Sequence, residues 1–275
     1  MDRWRTWNAQ KLPGRAVNRF VRGWVGRGSA LGGIEVHRTA CIVTHPPGGE
    51  LNNHALVNPA NESLAGTRFT PDECWRNLHG DPTTGRWSED FAVYPTQVVD
   101  GLVTEFGGEA LRVVLESQPA DAQGRRCPVG NAVVTPALHE LRELYGSLVH
   151  AVPPFRRGLD PSVWSDQLVA TYHAAFDAAC RNGLTTLAVP LLGAGARGAL
   201  KGEAMAVAAK AAVTWRMQDP GPREAAPIAR FGVQDSTTAH RLIDALKDAM
   251  RDSSADCGEG FDEQEPPTAE RWTVP

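Results

Sequence analysis

Two asparagines three residues apart follow an apolar stretch that has the pattern of a β-strand. The stretch covers residues 54–57, and the asparagines are Asn58 and Asn61. An amide side chain donates and accepts hydrogen bonds, so two amides at a strand end suit the neighbouring hydroxyls of a sugar. Strand ends are also where open α/β sheets hold their ligands. Because Asn and Pro favour turns for local reasons, an ordinary strand-terminating turn is the alternative.

A glycine-rich loop between a predicted strand and a predicted helix forms a second candidate site. The strand is predicted at 184–189 and the alanine-rich helix at 200–216. Glycines leave backbone N–H groups open to phosphate oxygens, and the positive end of the helix dipole favours the same anions. The residues expected to bind a phosphate are Gly193, Ala194, Gly195, Ala196, Arg197 and Gly198. The Arg197 side chain either adds its charge to this site or points into solvent.

The two features, in this order, resemble the macrodomain family of ADP-ribose-binding modules. Asn58-Pro59-Ala60-Asn61 is similar to the Asn-Ala-Ala-Asn turn of that family, with one substitution. Residues 148–154 resemble its His-x-Val-Gly-Pro run, and Pro190, Gly195 and Gly198 match its Pro-x-x-x-x-Gly-x-x-Gly phosphate loop. Two further places look like family positions, namely Val99-Asp100-Gly101 and Gly130. The resemblance spans residues 35–250.

The resemblance implies a three-layer α/β/α fold, with a mixed sheet and helices on both faces, and ADP-ribose as the ligand. It places the pyrophosphate against the glycine-rich loop and Asn61 near the terminal ribose. Glu50 is the nearest match to the acid with which the family recognises adenine. The other expected ligand-binding residues are Asn58, Gly66 and Gly101.

The same resemblance makes Asp100 and Asn61 the predicted catalytic residues. Asp100 begins the helix and is the acid best placed to orient or deprotonate a water for attack at or beside C1″. An aspartate in a first helical turn also stabilises the helix dipole, which is the structural alternative. Active family members often have a histidine one turn later, where this chain has Thr104. His150 lies on a predicted strand, where we interpret it as a structural residue.

Three functions from different classes follow from these patterns. The first is a hydrolase that removes an adduct from the terminal ribose, either as an ADP-ribose 1″-phosphatase or as a mono-ADP-ribosyl or O-acyl-ADP-ribose hydrolase. The second is a non-catalytic reader that holds ADP-ribose on a partner. The third is a Rossmann NAD-dependent oxidoreductase, which the glycine pattern alone would allow. That third alternative needs an acid at the end of a second strand about 20 residues later, where the chain has only a Pro/Gly-containing loop around Asp219.

The chain divides into a basic, Trp-containing extension at 1–33, an ADP-ribose-binding domain at 34–251 and an acidic tail at 252–275 that is expected to be disordered. A polar insertion at 66–95 interrupts the domain and is expected to form a lid or wall of the site. Strands are predicted at 34–44, 54–58, 131–135, 148–152, 184–189 and 228–233. Helices are predicted at 96–116, 136–145, 161–182, 200–216 and 237–251. Val163, Trp164, Leu168, Tyr172, Ala175, Phe176 and Ala179 are predicted to form a core stripe.

Composition is that of a soluble globular protein of 275 residues, 42% hydrophobic, with a net charge of −4. The basic extension allows nucleic-acid binding, but its aromatic residues favour packing on the domain. With no signal-peptide-like segment and an odd number of scattered cysteines, we expect an intracellular, cytoplasmic or nuclear protein, with an organelle transit segment as the alternative. His54, Cys74 and His79 do not form a metal-ligand pattern. We expect a monomer that needs no cofactor, binds no membrane, and takes ADP-ribose, an ADP-ribose derivative or an ADP-ribosylated protein as its partner.

Overall fold

The structure is a computed structural model that describes residues 20–21, 33–39, 41–47, 54–66, 99–217 and 226–257. Glu50, the insertion from residue 67 onward, most of the basic extension and the tail beyond residue 257 lie outside the described residues. The predictions for those segments therefore remain predictions.

The strands of the described residues form one seven-stranded sheet in the order β1-β2-β7-β6-β3-β5-β4. The strands are β1 (Phe20–Val21), β2 (Ile34–Arg38), β3 (His54–Pro59), β4 (Ala132–Pro136), β5 (Ser147–Ala151), β6 (Thr186–Val189) and β7 (Ile228–Val233). The five inner strands are parallel to one another, whereas β1 and β4 pair antiparallel at the two edges. The predicted mixed sheet is confirmed.

Helices cover both faces of this sheet. They are α1 (Val99–Glu116), the short 3₁₀ helix η1 (His139–Glu143), α2 (Pro161–Arg181), α3 (Lys201–Met217) and α4 (Ser236–Cys257). One apolar cluster joins α2, α3 and α4 to one face, and a second joins α1 and η1 to the other. Successive residues of a strand point to opposite faces, so Val57 belongs to the first cluster and Leu56 to the second. The three-layer prediction is confirmed.

The α2 helix shows how the sequence sets these layers. Asp160 precedes Pro161, and its carboxylate accepts a hydrogen bond from the backbone N–H of Ser162 at 2.8 Å, which caps the helix. The predicted core stripe is buried from Trp164 to Ala179, but Val163 is 45% exposed and does not belong to it. None of the described helices is both long enough and apolar enough to cross a membrane.

Three predicted elements differ from the structure. The helix predicted at 136–145 is only η1, because Pro136 still pairs in β4 and no side chain caps the start of η1. The strand predicted at 34–44 ends at Arg38, since the Thr39 hydroxyl donates to the His45 carbonyl at 2.8 Å and closes a turn. The last helix extends to Cys257, past the predicted domain boundary at residue 251, because no glycine or proline occurs before Gly258.

Phe176→Ala tests the packing of α2. The Phe176 ring is 1% exposed and its centroid lies 5.1 Å from that of Trp215. Its loss should lower the free energy of unfolding by about 3–5 kcal/mol. Val163→Ala on the same helix is the control and should change that free energy by less than about 0.5 kcal/mol. Urea unfolding measures both, and equal effects would contradict this placement of the core.

Candidate functional site

The asparagine turn, Asn58 to Asn61, and the glycine loop, residues 193–198, lie at the same edge of the sheet. The turn ends β3, and the loop follows β6, which is the parallel neighbour of β3. The two segments also touch directly, because Nη2 of Arg197 donates to the Ala60 carbonyl oxygen at 2.8 Å. The structure therefore brings together the two features that the sequence singled out.

The glycine loop leaves several backbone donors open. Gly198 N–H donates to the Gly195 carbonyl at 2.9 Å, and Ala199 N–H donates to that of Gly193 at 3.1 Å. Gly193 and Gly198 have φ values of 84° and 81°, which a side chain would strain. The N–H groups of Gly195, Ala196 and Arg197 donate no hydrogen bond to the described residues. Open amides just before the start of α3 form an arrangement that favours an anion.

Arg197 lies across the space between the two segments and does not extend into solvent. Besides its hydrogen bond to Ala60, its guanidinium carbon is 4.1 Å from the centre of the Phe155 ring. Burial lowers the pKa of Arg197, whereas the nearby charges of Asp100 and Glu62 act to raise it. Of the two predicted orientations, the solvent-exposed one is wrong. A contact between Arg197 and a phosphate stays a prediction.

Asn61 uses its amide within its own loop. Its Nδ2 donates to the Gly66 carbonyl at 3.0 Å, and its Oδ1 accepts from the Ala65 N–H at 3.1 Å and from the Ser63 hydroxyl at 2.9 Å. These bonds are those of an Asx-type turn, which was the local alternative for the asparagine pair. The expected contact of Asn61 with a ribose would have to coexist with these bonds or replace them.

Asn58 and Asp100 form the buried polar centre of the site. Nδ2 of Asn58 donates to Oδ1 of Asp100 at 2.8 Å and lies 3.2 Å from Nδ1 of His150. Nε2 of His150 is 2.9 Å from the Thr135 hydroxyl. Burial lowers the pKa of His150 to about 4, so this imidazole is neutral at physiological pH. His150 is thus a satisfied interior residue, although it contacts the predicted site.

A cleft beside α1, here the α1 cleft, has a volume of about 300 Å³ including space open to solvent. It contains three of the predicted site residues, Asn58, Gly66 and Asp100. Its other lining residues are Leu64, Ala65, Val103, Thr104, Gly108, Leu111, Arg112 and Leu115. Gly101 is buried inside α1, and the glycine loop does not line this cleft. The predicted residues therefore form two adjacent groups, one beside α1 and one at the end of β6.

Thr104 lies one helical turn after Asp100, at the position where the resemblance would often place a histidine. Its hydroxyl donates to the Asp100 carbonyl at 2.7 Å, which is an ordinary bond within a helix. The described residues contain no group of three His, Cys, Asp or Glu side chains placed to hold a metal ion. His54 instead lies stacked on Tyr145, with 5.1 Å between ring centroids.

Tyr172 supports the glycine loop, although its place in an apolar stripe predicted only a core residue. Its hydroxyl accepts from the Leu192 N–H at 2.8 Å and lies 3.5 Å from the Pro190 carbonyl, so it fixes the start of the glycine loop. A tyrosine in an otherwise apolar stripe was the available signal, since a buried phenol needs a hydrogen-bond partner. The Thr135 contact carried no such signal, because threonine is common in strands.

Comparison with known proteins identifies relatives of this fold. A family model described as Macro domain matches residues 57–208, which is more than half of the chain. The Oceanobacillus iheyensis macrodomain with ADP has 18% identity and a TM-score of 0.56, over 80% of this chain and 92% of that one. The Trypanosoma brucei macrodomain in complex with ADP-ribose has 18% identity and a TM-score of 0.52, over 80% of this chain and 72% of that one. The macro domain of ganglioside induced differentiation associated protein 2 has 16% identity and a TM-score of 0.55, over 81% of this chain and 89% of that one.

Gly66→Ala tests the junction between the asparagine turn and α1. Gly66 has a φ of 74°, and an added Cβ would overlap the Thr104 hydroxyl. Gly158 has a similar φ of 82° but no atom within 4 Å of an added Cβ, so Gly158→Ala is the matched control. Gly66→Ala should lower the free energy of unfolding by about 1–3 kcal/mol more than the control. Equal values in urea unfolding would show that the loop does not pack on Thr104.

Proposed function

This chain belongs to the macrodomain family, and on that premise we propose that it binds ADP-ribose and hydrolyses an adduct at the terminal ribose. The observation that carries the proposal is the hydrogen bond from Arg197 to Ala60, which holds the glycine loop next to the asparagine turn. One ligand of the length of ADP-ribose can then contact both. Solved relatives named as complexes with ADP and with ADP-ribose support this choice of ligand.

In the proposed complex the pyrophosphate lies on the open amides of Gly195, Ala196 and Arg197. The guanidinium of Arg197, which is adjacent to these amides, adds a positive charge on the same side. The terminal ribose extends toward the α1 cleft, where Asn58 and Asp100 provide an amide and a carboxylate. Asn61 and Gly66 are proposed to line the ribose end, whereas Gly101, which is buried in α1 and does not line the cleft, is proposed only to let α1 lie close to that end. We keep Glu50 as the proposed contact for adenine.

Asp100 is the proposed general base for the hydrolysis. It is 5% exposed, lines the α1 cleft and accepts a hydrogen bond from Asn58, which orients its carboxylate. A carboxylate in this position can hold a water and take its proton as the water attacks at or beside C1″. The group removed would be a phosphate, an acyl group or a protein side chain, as in an ADP-ribose 1″-phosphatase or a mono-ADP-ribosyl or O-acyl-ADP-ribose hydrolase.

A non-catalytic reader is the second candidate. Thr104 stands where active relatives often have a histidine, and its hydroxyl is already bonded to the α1 backbone. A reader needs the same ligand contacts but no base. Binding and turnover therefore have to be measured separately.

Binding of ADP-ribose should be at least about tenfold tighter than binding of AMP, which corresponds to about 1.4 kcal/mol, because only ADP-ribose reaches both segments.

Gly195→Val should abolish most of this ADP-ribose binding while the protein still folds. The φ of Gly195 is not in the left-handed range, and a Cβ added there meets no atom within 4 Å. We therefore expect the loop to tolerate the change, so that only the ligand is blocked. Calorimetric titration with ADP-ribose, AMP and NAD measures the ranking, and thermal unfolding checks the variant. Equal affinity for ADP-ribose and AMP would refute recognition of the terminal ribose.

Asp100→Ala separates the enzyme from the reader. Turnover should fall about 100-fold or more while ADP-ribose affinity is largely kept, which is the pattern expected on removal of a general base. Asn61→Ala should weaken binding and turnover together, because it loosens the loop from Asn61 to Gly66. Glu105→Ala, an exposed acid on the same helix, is the control and should leave both unchanged. Release of phosphate from ADP-ribose 1″-phosphate and of ADP-ribose from a modified protein measures turnover. A wild-type protein that binds ADP-ribose but processes neither substrate would be a reader.

A further inference from the structure

Four side chains from four elements form a buried chain of contacts that ends at Asp100. Thr135 lies on β4, His150 on β5, Asn58 on β3 and Asp100 in the first turn of α1. These strands are neighbours, and Asn58 is the register partner of His150. All four residues are buried, with exposed fractions of 2%, 0%, 1% and 5% in the order given. The contacts therefore lie between the sheet and α1, out of reach of bulk solvent.

The direction of each hydrogen bond follows from the first one. An ionised carboxylate only accepts, so the Asn58 group that lies 2.8 Å from Asp100 is the NH₂ end of the amide. The same NH₂ group lies 3.2 Å from Nδ1 of His150, which must then be the acceptor nitrogen. The imidazole is neutral and so carries its proton on Nε2, from which it donates to the Thr135 hydroxyl.

With the hydrogen bonds in this direction, one acceptor has no donor among the described residues. Oδ1 of Asn58 is buried and has no hydrogen-bond partner among the described residues. Asn58 and Asp100 both line the α1 cleft. A buried carbonyl oxygen without a donor is unfavourable, so this oxygen, on a residue that lines the α1 cleft, is open to a donor that comes with the ligand or the solvent. A ribose hydroxyl and a water are donors of that kind.

We propose that His150 and Thr135 are positioning residues that fix the Asn58 amide, so that Asn58 Oδ1 and the Asp100 carboxylate together hold the reacting water. His150 accepts from the Asn58 NH₂ group, and Thr135 keeps the His150 proton on the far nitrogen. Without the Nδ1 acceptor of His150 only the bond to Asp100 holds the amide, so Asn58 Oδ1 loses its fixed direction. This inference rests on the proposed hydrolase function.

The variants are chosen in matched pairs. His150→Leu removes the acceptor, whereas His150→Asn can place an amide oxygen near the position of Nδ1. Thr135→Val removes the hydroxyl, whereas Thr135→Ser keeps it. We expect His150→Leu and Thr135→Val to lower kcat about 10- to 100-fold with the ADP-ribose affinity within about twofold, as for a misplaced reacting group. His150→Asn and Thr135→Ser should recover most of the lost kcat. Thermal unfolding of all four variants identifies any that fail to fold.

The outcomes distinguish this inference from the proposed function. An active wild-type protein whose kcat is unchanged in Thr135→Val and His150→Leu would overturn the inference alone. A parallel fall in affinity and kcat, without recovery in the conservative variants, would show a purely structural role and also overturn it. A wild-type protein that binds ADP-ribose but turns over no substrate would overturn the hydrolase, and the positioning role with it.

A further measurement needs no variant. Nitrogen-15 NMR of the full chain near neutral pH reports which nitrogen of His150 carries the proton. We expect the Nε2–H tautomer, with Nδ1 unprotonated. The Nδ1–H tautomer would reverse the bond to Asn58 and refute the inference, whatever the kinetics show.

Discussion

The parallel pairing of β3 with β6 is the constraint on which the site depends. In a parallel pair both strands end at the same edge, so the turn after β3 and the loop after β6 must lie side by side. The register places Leu56 beside Ala188, and each strand then leaves the sheet within three residues. Arg197 completes this arrangement by its hydrogen bond to Ala60. Sequence positions about 135 residues apart thereby become the two ends of one candidate site.

Burial has different effects on the polar groups of the site. Asn58, Asp100 and His150 lie between the sheet and α1, where an unpaired polar group is unfavourable, and their mutual hydrogen bonds fix each side chain. The amides of the glycine loop are open instead, since Gly195 and Ala196 are exposed and water can bond to them. A ligand that displaces this water gains preformed donors without any rearrangement of the buried group. The two halves therefore combine a rigid polar interior with accessible amides that favour an anion.

The sequence predicted the parts of the fold that have a strong period or a local signal. Strands with apolar runs, such as β7, and the amphipathic helix α2 were placed to within a residue or two. The prediction was wrong where a single side chain decides where a strand ends. The example is Thr39, whose hydroxyl closes the turn after β2. The candidate site followed the same rule. Its motif residues were found from their spacing, whereas the hydroxyl of Tyr172 and the contact of Thr135 with His150 depend on residues distant in sequence.

The two asparagines show why spacing alone does not assign roles. Both follow β3, and either amide suits a sugar hydroxyl by its chemistry. In the fold, Asn58 still lies in the strand and faces α1, while Asn61 is past the strand and bonds to the backbone of its own loop. A side chain that already meets its hydrogen-bonding needs locally gains little from a ligand, whereas a side chain with a buried oxygen that has no donor among the described residues gains a bond. Asn58 is therefore the amide to which we assign the reacting water, and Asn61 is the residue that shapes the neighbouring loop.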